Sequence, residues 1–118
     1  MTEILLVCTK DKCFKHLTAK GHASFAEKGK DIVCAAETML LRTSMEVLEQ
    51  TEGVILKTDK SSRGNLEFFV EDFTVTDKDE ILKIKERLRC TADYLRNGLY
   101  GLSQEYPNNV RFQEITED

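Results

Sequence analysis

Between Gly21 and Ala36 the chain reads GHASFAEKGKDIVCAA, sixteen residues that hold an imidazole and a thiol able to work as a pair. Eleven residues separate His22 from Cys34. A free cysteine has a pKa of about 8.5, so only a small fraction is thiolate at neutral pH. Orphan N–H groups and the dipole of a helix start stabilise the anion, and a protonated imidazole adds to this. Cys34 is thus a candidate nucleophile, with His22 as its base or the imidazolium of an ion pair. The competing reading makes Cys34 a small core residue, because Val33 and Ala35-Ala36 make its surroundings apolar and unpaired cysteines are commonly buried.

Other residues could support this pair. Asp31 could orient His22, but its spacing favours a helix N-cap whose carboxylate accepts N–H bonds from the first turn. Thr38, one turn beyond Cys34, could lend a hydroxyl to the site, although such threonines more often bond back to their own helix. Gly21 fits a close-packed strand end where a side chain would obstruct something, or a simple bulge. An oxyanion needs only backbone N–H groups, which a first helical turn can supply. His16 reads as a strand histidine with its nitrogens satisfied. The rival use of these atoms is zinc, but Cys8, Cys13, His16, His22, Cys34 and Cys90 are scattered and form no C-x-x-C pair, so no metal is expected.

The elements that must position these groups follow from hydrophobic periodicity. Ile4 to Val7 reads as a buried strand, and after the Asp11-Lys12 interruption Phe14 to Ala23 reads as a second. Alternation puts Leu17, Ala19 and Gly21 on one face and His22 on the other. The polar segment Ser24, Phe25, Ala26, Glu27, Lys28, Gly29, Lys30 reads as a mobile loop. A helix is expected from Ile32 to about Gln50, with Val33, Ala36, Leu40, Val47 and Leu48 as its apolar stripe and Gly53 breaking the chain after it. Cys34 then lies at the third position of its first turn.

Val54–Thr58 and Leu66–Val70 predict a strand pair joined by a flexible polar tip, Asp59 to Asn65. Thr76 can cap a second helix, with Asp79 as a capping-box analogue. Ile81, Ile84, Leu88, Ala92, Leu95 and Leu99 recur at three- and four-residue steps, predicting a helix that ends near Gly98 or Gly101, with Pro107 barring continuation. Val110 to Ile115 closes the chain as a strand. Phe68, Phe69 and Phe73 are core, dimer interface or a groove for an apolar peptide side chain, and core is the default for at least two. The order ββαββαβ predicts an α+β fold: a mixed, mostly antiparallel five-stranded sheet packed with two helices.

Composition bounds the rest. A chain of 118 residues, 41% hydrophobic and 32% charged, fits one soluble domain over residues 1–118. No segment has the length of a membrane span, and the apolar run Ile4 to Cys8 is too short for a signal-peptide core, so a cytoplasmic location without membrane attachment is expected. Four cysteines at irregular spacing are expected as free thiols there. The net charge of -4 argues against direct nucleic-acid binding and is compatible with a cationic peptide partner.

Gly21-His22-Ala23, then Gly29, then Asp31-Ile32-Val33-Cys34-Ala35-Ala36 resembles the signature of the ribosomal-processing cysteine proteases, small bacterial proteins of similar length and element order. The resemblance implies a cysteine endopeptidase that removes the N-terminal extension of large-subunit ribosomal protein twenty-seven during ribosome assembly. By position it implies Cys34 as nucleophile, His22 as base, Asp31 as a lesser site residue and residues 24–30 as a lid over the substrate. It also implies a homodimer, cleavage after a hydrophobic residue, a ribosomal-protein precursor peptide as partner, and no metal or organic cofactor. Family members typically carry serine where this chain has Thr38. Two other readings remain open from the residues themselves: a noncatalytic ribosome-associated module, and a thiol redox protein with a resolving cysteine near Cys34.

Overall fold

A computed structural model describes residues 1–21, 31–60 and 64–117. His22, Ala23, the Ser24–Lys30 segment and the middle of the Asp59–Asn65 connection lie outside the described residues. Within them the elements are β1 (Thr2–Thr9), β2 (Phe14–Gly21), α1 (Ile32–Glu49), β3 (Val54–Asp59), β4 (Asn65–Phe73), α2 (Lys78–Glu105) and β5 (Val110–Glu117). The order is ββαββαβ, an α+β fold, as the periodicity predicts.

The strands form one mixed sheet in the order β3-β4-β2-β1-β5. Only the β1–β5 pair is parallel; the other three pairings are antiparallel. Alternation decides which face is covered. Ile4, Leu6 and Cys8 from β1, Leu17 and Ala19 from β2, and Phe68 from β4 join one core with the buried stripes of both helices. Phe14 and Phe68 stack there with ring centroids 5.4 Å apart. Phe73 packs partly buried against this core, so two of the three phenylalanines are core. Phe69 points to the other face, against His16, whose Nε2 is 2.6 Å from the Glu67 carboxylate. His16 is thus a satisfied strand histidine.

In α2, Ile84, Leu88, Ala92, Leu95 and Leu99 are all buried, as their spacing predicts. Each buried leucine contributes on the order of 2 kcal/mol through removed apolar surface. Two helix boundaries and one buried face differ from expectation. The α2 cap is Asp77, not Thr76: its carboxylate accepts from the Glu80 N–H at 3.1 Å. The helix runs through Gly98 and Gly101 to Glu105, because Leu99 and Leu102 continue to pack beyond the first glycine. Only the approach of Pro107 stops it. In α1, Val47 is exposed, and the buried face is Val33, Glu37, Leu41, Ser44, Met45 and Leu48. Ala36 and Leu40 lie at its margin, half-buried.

Candidate active site

Cys34 stands at the third position of α1, on the first turn, as the Asp31 cap dictates. Asp31 has an extended backbone (φ -78°, ψ 99°), and its Oδ1 accepts from the Cys34 N–H at 2.9 Å. The carbonyl of Asp31 accepts from Ala35 N–H at 3.1 Å. The cap role favoured from the spacing is therefore the one Asp31 takes toward α1. The N–H groups of both Cys34 and Ala35 are thus engaged by Asp31.

The thiol of Cys34 is half-buried rather than sealed in the core. It lines an open cleft of about 300 Å³ at one end of the sheet. Four parts of the chain build this cleft: the start of β1 (Thr2), the end of β2 (Ala19, Gly21), α1 from Cys34 to Met45, and the β3–β4 end (Lys60, Gly64 to Leu66). Among its described lining residues Cys34 is the sole cysteine. Cys8 and Cys13 are buried elsewhere and Cys90 is exposed on α2. Burial pushes the Cys8 thiol up to about 11, which keeps it protonated. Among the described residues no three His, Cys, Asp or Glu side chains come together as a metal-holding group.

Gly21 sits at the cleft edge with φ +94°, and a Cβ there would lie 2.4 Å from the Met1 carbonyl oxygen. Its N–H donates to the Gly64 carbonyl at 2.7 Å. A side chain at this position would indeed obstruct something: the first residue of the chain. Thr38 also lines the cleft, but its hydroxyl donates to the Cys34 carbonyl at 2.8 Å. That bond ties the hydroxyl to its own helix, which is the bland alternative for such a threonine.

The residue that the sequence reading missed is Glu37. It is only 5% exposed and lines the same cleft one turn from Cys34. Its Oε2 accepts from the Thr2 hydroxyl at 3.0 Å, while Oε1 has no partner. Burial pushes this carboxyl from 4.5 up to about 7; the charge of Asp31 adds to the rise, while the Thr2 hydrogen bond and the N-terminal ammonium oppose it. A signal existed in the sequence. Val33, Glu37, Leu41, Met45 and Leu48 keep helical spacing, so the periodicity itself carries Glu37 onto the buried face.

Comparison with known proteins bears on what this cleft belongs to. The family model for the cysteine protease Prp matches residues 1–111. A segment of 20 residues, 17% of this chain, is 90% identical to the ribosomal processing cysteine protease Prp of Mycoplasma genitalium. That match spans 20% of the relative's length. Among solved structures, the essential ribosomal processing protease Prp from S. aureus, bound to a covalently linked product peptide, shares the fold with a TM-score of 0.72. It is 21% identical, with 98% of this chain and 100% of that one covered. A Streptococcus mutans protein superposes equally well, with a TM-score of 0.72 at 23% identity, covering 99% of this chain and 96% of that one. With the family model matched from the first strand into the last, the chain belongs to the cysteine protease Prp family.

Proposed function

We propose that the protein is a cysteine endopeptidase that removes the N-terminal extension of large-subunit ribosomal protein twenty-seven, with Cys34 as nucleophile and His22 as base. The observation that carries this is the placement of Cys34: a half-buried thiol on the first turn of a capped helix, open to a cleft. Family membership supplies the reaction class, and the S. aureus relative is a ribosomal processing protease seen with a covalently linked product peptide.

The chemistry is acyl transfer. The Cys34 thiolate attacks the scissile carbonyl carbon, forming a C–S bond while the carbonyl oxygen takes the negative charge. First-turn N–H groups hold that oxygen. As the C–N bond breaks, the His22 imidazolium gives its proton to the leaving amine. Neutral His22 then takes a proton from water, whose oxygen attacks the thioester and releases the new carboxyl terminus and the thiolate. Cys34, His22 and one water account for every proton and electron pair in this cycle. We place the enzyme in the cytoplasm as a homodimer acting on the unassembled precursor; among the described residues no helix is long and apolar enough to cross a membrane.

The test is incubation of the purified protein with the unprocessed precursor, followed by mass spectrometry of the products. A single cut that is lost in Cys34→Ala and in His22→Ala is the expected result. Cleavage that survives Cys34→Ala, or precursor left intact by the wild type, overturns the proposal.

A further inference from the structure

Among the described residues every arginine but one is engaged. Arg87 donates to the Thr51 hydroxyl, Arg89 to the Asp11 carbonyl, Arg96 to Glu114 and Asp93, and Arg111 stands 3.6 Å from Glu3. Arg42 has no hydrogen-bond or ion-pair partner among the described residues. Glu46 lies four positions further along α1, where helices ordinarily pair opposite charges, yet the two do not meet. Arg42 is instead exposed and lines the cleft that holds Cys34. Helical side chains lean toward the N-terminus of their helix, which turns the guanidinium toward the Thr38 and Cys34 end.

The charge of this cleft is opposite to that of the whole chain. The protein carries a net charge of -4, yet the exposed charges on the described lining are Arg42 and Lys60. Lys60 likewise has no partner among the described residues. Glu37, the single acid on that lining, is buried and bonded to Thr2, so it does not pair with either cation. Ala19, Leu41, Met45 and Leu66 make the remaining walls apolar. A peptide lying in the cleft takes water away from the guanidinium, and an apolar or cationic residue there gives nothing in return. A carboxylate does, because its two oxygens match the planar fork of an arginine.

We infer that Arg42, with Lys60 beside it in the cleft, is a specificity-determining residue that pairs with a carboxylate side chain of the bound peptide. This rests on the protease reading above and adds a substrate requirement to it. The helix also sets where that acid stands. Cys34 and Arg42 are eight residues apart on α1, roughly 12 Å along its axis. An extended peptide advances about 3.3 Å per residue, so the acidic residue lies roughly three or four positions from the scissile bond.

The experiment uses the full-length protein and peptides spanning the precursor's processing junction. Each residue from the second to the sixth on either side of the scissile bond is replaced in turn by glutamate, glutamine or lysine. The expected result is one position where glutamate gives a kcat/KM about fivefold to tenfold above glutamine, with lysine lowest. In Arg42→Glu the order at that position should reverse, lysine now being cut fastest. A merely structural role for Arg42 would lower all three rates together and leave their order unchanged. Glutamate no better than glutamine at every position in the wild type overturns the inference while leaving the protease standing. So does a glutamate preference that persists in Arg42→Glu, or one spread evenly over all positions, which is long-range attraction rather than a site. If the wild type cuts none of the peptides, or cutting survives Cys34→Ala, the protease reading falls and the inference falls with it.

Discussion

Replacing Glu37 by glutamine should change how the protein's stability depends on pH. The folded-state carboxyl is held up to about 7 by burial among apolar atoms, whereas an unfolded one titrates at the ordinary 4.5. Between these values the unfolded chain has released a proton that the folded chain still holds, so the unfolded state binds fewer protons and stability falls as pH rises. The loss begins at the unfolded value and levels off above the folded one. The full separation corresponds to roughly 3 kcal/mol, of which roughly 2.5 kcal/mol falls between pH 5 and pH 8. Glutamine keeps the shape and can still bond the Thr2 hydroxyl, but cannot ionise. Urea unfolding of wild type and Glu37→Gln at pH 5 and pH 8 isolates this group, because all other titrations cancel in the double difference. The variant should gain on the wild type by about 2 kcal/mol or more on going from the lower to the higher pH. If the two stability profiles run parallel to within about 0.5 kcal/mol, Glu37 is not desolvated and the reasoning from its burial fails.

Three further outcomes are expected. Asp31→Ala should destabilise the protein by about 1 kcal/mol through loss of the α1 cap, while Asp31→Ser should recover most of that stability and the cleavage rate together; a serine variant that is stable but inactive would make Asp31 more than a cap. Gly21→Ala should cost at least 1–3 kcal/mol, read as a lowered urea midpoint, because its φ of +94° is unfavourable for alanine and the new Cβ would press on the Met1 carbonyl. Gly101→Ala, with open space at that position, should raise stability by about 0.5–1 kcal/mol, whereas Gly98→Ala should gain less or lose, since its Cβ would lie 2.7 Å from Leu40 Cδ2.

Where hydrophobic spacing was unambiguous, the structure could be read from the chain. The α2 stripe from Ile84 to Leu99 sits at helical intervals and is buried throughout. The β1 and β2 residues Ile4, Leu6, Leu17 and Ala19 alternate, and all four face the core. Misreadings arose where one residue type serves two purposes. Thr76 and Asp77 are both good caps, and only the bond to the Glu80 N–H separates them. Gly98 and Gly101 look like helix ends, yet Gly98 lets α2 approach Leu40 of α1. Apolar spacing alone assigns the α1 stripe through Ala36, Leu40 and Val47, whereas the structure buries the polar Glu37 and Ser44 and so rotates the face to Leu41 and Met45. At the site, the cap, Cys34 and the back-bonded Thr38 were legible from local spacing. The cleft itself was not, because it depends on long-range pairing that brings Thr2 and Gly64 beside α1.

The same helix thus carries two kinds of chemistry at different depths. At its mouth, Asp31 fixes where α1 begins and thereby sets Cys34 at the third position, at the cleft edge. One turn deeper, the helical step that buries Val33 and Leu41 also buries Glu37, which a soluble helix would ordinarily turn to water. Moving Glu37 to the solvent face would require rotating α1, and that would withdraw Val33, Leu41 and Leu48 from the core, a loss of several kcal/mol. Core packing therefore holds an ionisable acid in place against its own desolvation. Thr2 from β1 satisfies one oxygen while the other stays buried without a partner, so the placement of the thiol and the burial of the acid are set by one rigid element.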